Sequence, residues 1–99
     1  MARGPESRLQ TKIQKALQKE FPRSFFFKTH GGPYQRAGIP DIIGSVEGSF
    51  IGIEVKVPGR ENTLTDLQQH TINQINESGG LAFMSTNPED AIDRIKKFL

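Results

Sequence analysis

At 99 residues the chain has room for one compact domain, expected to span 1–99, and for no second core. Its apolar residues, 34% of the total, are gathered in periodic runs, which excludes a disordered chain; no run approaches the ~18 apolar residues of a membrane span, and the absence of cysteine excludes disulfides and thiolate zinc sites. A net charge of +2 with a pI of about 9.2 leans basic, so the grouping of the basic residues decides whether nucleic acid is a partner.

Gly4-Pro5-Glu6 reads as a helix start, with proline at the first helical position and an acid in the first turn, and the helix should run to about Lys19, before Phe21-Pro22. Leu9, Ile13, Ala16 and Leu17 fall on one side of it, Glu6 projects toward that same side, and Arg8, Lys12, Lys15 and Lys19 form an adjacent stripe. Phe25–Phe27 is a first strand, followed by a long polar loop from His30 to Pro40. Asp41–Val46 and Ser49–Val57 are a second and third strand joined by the turn pair Glu47-Gly48. A second helix spans about Thr65 to Ser78 and ends at Gly79-Gly80; Leu81–Ser85 is a fourth strand, and Asn87-Pro88-Glu89 starts a last helix. The order is αβββαβα. The N-terminal MARGPESRLQ has no apolar signal core, and the expectation is a soluble, intracellular protein that spans no membrane.

The third strand carries the chemistry. Alternation puts Ile51, Ile53, Val55 and Val57 on one face and Glu54 and Lys56 on the other. By itself an acid two residues from a lysine describes a solvated strand. The hairpin changes this: with Glu47-Gly48 as a two-residue turn, Val46 pairs with Ser49 and Asp41 lies opposite Glu54, where Cβ atoms are roughly 5 Å apart and like charges destabilise. A divalent cation between the carboxylates removes that cost, and hard oxygen ligands suit Mg²⁺ or Mn²⁺. Lys56 stands one step along the same face, where an ammonium can orient a water or stabilise charge on a phosphoryl oxygen. Two acids and a lysine are a minimum kit for metal-assisted phosphodiester hydrolysis.

Gly38-Ile39-Pro40-Asp41, Glu54-Val55-Lys56 and Leu64-Thr65-Asp66-Leu67-Gln68 together resemble the PD-(D/E)XK nuclease superfamily, and within it the VRR-NUC domains, small nucleases found alone in phages and fused to repair enzymes. The resemblance covers about Glu6 to Phe83. It implies an α/β, restriction-endonuclease-like core in which a mixed four-stranded sheet is flanked by helices, the last helix being an addition. It implies Asp41 and Glu54 as ligands of Mg²⁺ or Mn²⁺, the Val55 backbone carbonyl as a further ligand, Lys56 as catalytic lysine, Gln68 as the helix glutamine near the active site, and Glu6 as a first-helix acid. It also implies a metal-dependent DNA endonuclease in a bacterial or phage-infected cytoplasm. By analogy with stand-alone members, that enzyme is a homodimer cutting structured or branched DNA such as Holliday junctions. The competing readings are a non-catalytic DNA-binding module and the nuclease subunit of a larger repair or restriction assembly.

Periodicity places Gln68 between Ile72 and Ile75 on the apolar face of its helix, where a glutamine needs partners: a site residue, or a structural hydrogen bond to nearby backbone. Glu6 is equally what the helix dipole favours in a first turn. Arg8, Lys12, Lys15 and Lys19 are a candidate phosphate surface or an ordinary solvated face. Lys28, His30, Tyr34 and Arg36 precede the catalytic strand and are candidate DNA contacts, although Gly-Gly-Pro is also a simple turn. His30 and His70 are isolated, without zinc spacing. Phe25–Phe27 and Phe98-Leu99 read as core or as interface.

Overall fold

The computed structural model describes residues 4–29 and 36–99. The elements run α1 (Pro5–Glu20), β1 (Ser24–Lys28), β2 (Ile42–Val46), β3 (Ser49–Val55), a 3₁₀ turn (Glu61–Thr63), α2 (Asp66–Glu77), β4 (Leu81–Ser85) and α3 (Pro88–Phe98). This is the expected order αβββαβα. The sheet order is β1-β2-β3-β4, with β1/β2 and β2/β3 antiparallel and β3/β4 parallel, so the sheet is mixed. The parallel pair needs a crossover, and α2 supplies it.

The hairpin register is the one the turn dictates. Glu47 (φ 50°) and Gly48 (φ 89°) both take positive φ, as a type I′ turn requires, and Val46 pairs with Ser49, Gly44 with Ile51 and Ile42 with Ile53. Both strands are shorter than their apolar runs. β2 begins at Ile42 rather than Asp41, because the residue before it is Pro40; β3 ends at Val55 rather than Val57, where its partner β4 ends at Ser85 and Pro58 follows.

Alternation sorts the two faces. Phe26, Ile42, Val46, Ile51, Ile53, Val55 and Phe83 form the core with Ile13 and Leu17 of α1 and Ala91 and Ile95 of α3. The face that carries Gly52 and Glu54 meets α2: Ile75 packs over Gly52 and Gly80, and the Asn76 amide grips both the N–H and the C=O of Ala82. Packing against β3 and β4, α2 leaves Phe25, Phe27 and Phe50 exposed on the far half of that face, while Phe26 is buried in the core. Phe98 and Leu99 are exposed. Among the described residues no helix is long and apolar enough to cross a membrane.

Candidate metal and phosphate site

The site forms where the β2–β3 ladder stops. Pro40 stands next in register opposite Val55, and a proline has no N–H to give the Val55 carbonyl. The Pro40 carbonyl is itself taken by the Thr29 hydroxyl at 2.8 Å. The Val55 N–H therefore turns to the neighbouring side chain and donates to Asp41 Oδ2 at 2.9 Å. Asp41 is fixed from behind as well, since its carbonyl accepts the Thr29 N–H at 2.8 Å. The preceding loop is held by Gly38, whose φ of 85° and contact with α2 exclude a side chain: a Cβ there would lie 2.9 Å from the Leu67 side chain and 3.0 Å from Thr71 Oγ1.

Glu54 leaves β3 on the same face as Asp41 and is only 2% exposed. Its Oε1 accepts the Gln68 amide at 2.9 Å and lies 4.0 Å from Lys56 Nζ, while its Oε2 is buried with no hydrogen-bond partner. Carboxylate oxygens of Glu6, Asp41 and Glu54 lie within 4.8 Å of one another. Glu6 reaches the cluster from the first turn of α1; its side chain is exposed rather than turned to the buried face, because the sheet end, not the core, lies below it. Three hard oxygen donors, one with a buried unused oxygen, are a fit for a hard divalent cation.

Burial first, then the adjacent Asp41 carboxylate and, more weakly, Glu6 together push the Glu54 carboxyl up to about 8 against the pull of Lys56. In a metal-free protein Glu54 thus holds a proton at neutral pH. A cation would favour the ionised form, so loading it releases that proton.

Gln68 does two jobs at once. Its Oε1 accepts the Thr65 N–H at 2.9 Å while its own N–H donates to Thr65 Oγ1 at 3.1 Å, the reciprocal capping box that starts α2. Its Nε2 is thereby aimed at Glu54. The backbone bond and the site contact, alternatives in the sequence, coexist in one amide.

Of the basic candidates, Lys12, Lys15 and Lys19 are exposed along α1 with Arg8. Lys28 turns inward: its Nζ donates to Thr11 Oγ1 at 2.9 Å and also contacts Ser7 O and Ser7 Oγ at 3.3 and 3.4 Å, tying the sheet end to the turn that carries Glu6. Arg36 donates to Gln74 of α2 at 3.1 Å. His30 and Tyr34 lie outside the described residues. His70 is exposed on α2. The motifs contain Pro40 and Thr65 without assigning them a role, and Thr29 lies outside them; the Thr65-x-x-Gln68 spacing is a legible capping signal, and only the register reveals what Pro40 and Thr29 do.

Comparison with protein-family models and with curated proteins finds no match. Solved structures do match. One described as a "VRR_NUC domain protein" superposes with a TM-score of 0.69 over 94% of this chain and 86% of that one, at 17% identity. Another, described as a "VRR_NUC domain", gives 0.64 over 95% and 97%, at 22% identity. The chain has the VRR-NUC fold. At these identities it is the architecture that is shared, and within the VRR-NUC fold of this chain the acid cluster sits where β2, β3 and the first turns of α1 and α2 converge.

The raised carboxyl fixes the sign of a pH effect. Between the ordinary value of 4.5 and about 8 the native state keeps a proton that the unfolded chain has lost, so metal-free stability falls as pH rises through this window and levels off above it. Glu54→Gln should abolish most of the slope and exceed the native chain in stability at pH 9, by an amount on the order of a few kcal/mol. Denaturant melts in EDTA from pH 5 to 9 check this; a flat native profile contradicts it. Gln68→Glu separates the two roles of that residue: it keeps the capping box but sets a carboxylate against Glu54. We expect α2 helicity to persist while Mn²⁺ affinity, read by calorimetry, changes about 10–100-fold; unchanged affinity would leave Gln68 a cap alone.

Proposed function

We propose that this chain is a divalent-metal-dependent DNA endonuclease, with Asp41, Glu54, the Val55 carbonyl and Glu6 as metal ligands and Lys56 as catalytic lysine. The observation that carries the reading is the convergence of three carboxylates within 4.8 Å, one of them buried with an unpartnered oxygen, beside a lysine. Such an arrangement is costly in a protein with no cation to bind and no anion to receive. When bound, Mg²⁺ or Mn²⁺ supplies Lewis acidity and lowers the pKa of a coordinated water.

The chain's own groups do the rest. Asp41 is held in place by the Val55 N–H, and Glu54 by the Gln68 amide, so neither must reorganise when substrate arrives. Lys56, its side chain 12% exposed, presents an ammonium to the phosphoryl oxygens and offsets the charge that builds on them. The stripe Arg8, Lys12, Lys15 and Lys19 starts two residues after Glu6, on the other side of α1 from it, and supplies a non-specific phosphate track along the helix. Lys28 holds the turn that carries Glu6, and Arg36 lies on the α2 side.

The substrate reading is structured or branched DNA, Holliday junctions included, cut by a homodimer whose two sites meet two strands. The exposed Phe25, Phe27 and Phe50 face supports a second copy, because an apolar sheet face of this kind on so small a domain is a surface to be covered.

Cleavage of labelled four-way junctions, flaps and plain duplex in Mg²⁺, Mn²⁺ or EDTA tests the reading. Asp41→Asn and Glu54→Gln should reduce cleavage to background and Lys56→Ala should lower it by about 10²–10³-fold, each with DNA binding largely retained. Normal cutting by all three variants moves the active site elsewhere, and a native chain that binds DNA yet cuts under no metal is a binding module.

A further inference from the structure

Beside the acid cluster, and sharing Glu6 and Lys56 with it, a cleft of about 200 Å³ opens between the first turn of α1 and the loop after β3, lined by Pro5, Glu6, Lys56, Val57, Arg60 and Thr63. We propose that this cleft binds one sugar-phosphate unit of a DNA strand, with Arg60 as its phosphate contact.

Three observations carry the assignment. The first is the state of Arg60. Its backbone is fixed, with its N–H on the Val57 carbonyl at 3.0 Å and its carbonyl accepting the Thr63 N–H at 3.0 Å and the Thr63 hydroxyl at 2.6 Å. Its guanidinium has no hydrogen bond or ion pair with any described residue. The adjacent acid does not neutralise it: Glu61 Oε1 accepts the Gly59 N–H at 2.5 Å instead. A fork of donors on a rigid, self-bonded loop, left without a carboxylate, matches the geometry of a phosphate.

The second is the charge of the walls. Lys56 and Arg60 are the two cations of the cleft and Glu6 its single acid, so the lining is net positive without a metal ion. The third is size and lining. About 200 Å³ lies below the ~300 Å³ at which drug-sized sites begin, so the cleft has room for one sugar and its phosphate. Pro5 and Val57 offer the apolar surface against which a sugar packs.

The inference deepens the nuclease reading by giving the strand beside the scissile bond a place. It rests on that reading for its purpose, though not for binding itself.

The test uses thymidine 3′,5′-bisphosphate titrated into the intact chain in EDTA, followed by amide NMR and calorimetry, with DNA cleavage in Mg²⁺ or Mn²⁺ scored separately. We expect shifts centred on Lys56, Val57, Arg60 and Thr63, a loss of affinity of about 10–100-fold in Arg60→Ala, partial recovery in Arg60→Lys, and no change in Arg23→Ala, a charge control at the opposite end of α1. Bisphosphate affinity unaltered in Arg60→Ala, or shifts centred elsewhere, overturns the cleft while cleavage by the native chain keeps the nuclease. Arg60-dependent binding in a chain that cuts no DNA keeps the cleft and removes the nuclease.

Discussion

The carboxylate of Asp41 takes the N–H of Val55 at 2.9 Å, where the next rung of an antiparallel ladder would otherwise lie. That substitution follows at Pro40, whose carbonyl is taken by the Thr29 hydroxyl and which has no N–H for the Val55 carbonyl, and it does three things at once. It ends the β2–β3 pairing without leaving a buried donor unsatisfied. It locks an acid on the sheet face beside Glu54. It also leaves a carbonyl at the same place without a partner from the opposing strand. The site is in this sense the defect at the end of a hairpin, stabilised by a side chain instead of by backbone.

Everything else near it keeps negative charge close without letting it disperse. Gln68 holds Glu54 from the α2 side while starting that helix, and Lys28 holds the turn of α1 from which Glu6 reaches in. Burial leaves Glu54 Oε2 with no partner and pushes its carboxyl up to about 8. A buried, unpartnered carboxylate oxygen of this kind costs a small domain stability, which a bound cation would return.

Much of this was legible in the residues. The I′ turn at Glu47-Gly48 set the register, and with it Asp41 against Glu54, because a two-residue turn leaves one pairing only. Helix boundaries followed from Gly4-Pro5, Gly79-Gly80 and Asn87-Pro88, each of which acts through local backbone chemistry. What could not be read was set by tertiary packing. Glu6 shares a helical side with Ile13 and Leu17 but overhangs the sheet end, since α1 extends past the core. Lys28, a candidate DNA contact by its place in the sequence, is bonded to Ser7 and Thr11 of α1, 21 and 17 residues earlier in the chain. Phe25, Phe26 and Phe27 divide by strand alternation, yet only the position of α2 over β3 and β4 determines that the outer two stay uncovered. Arg60 lies in a loop with no periodicity, so no pattern marked it.

The central claim is that a dication sits among Asp41, Glu54 and Glu6. Anomalous diffraction from crystals of the native chain soaked in Mn²⁺ tests this directly. We expect a single strong peak bounded by those three carboxylates and absent from Glu54→Gln crystals. A peak elsewhere on the surface, or none with the three carboxylates well ordered, would contradict it.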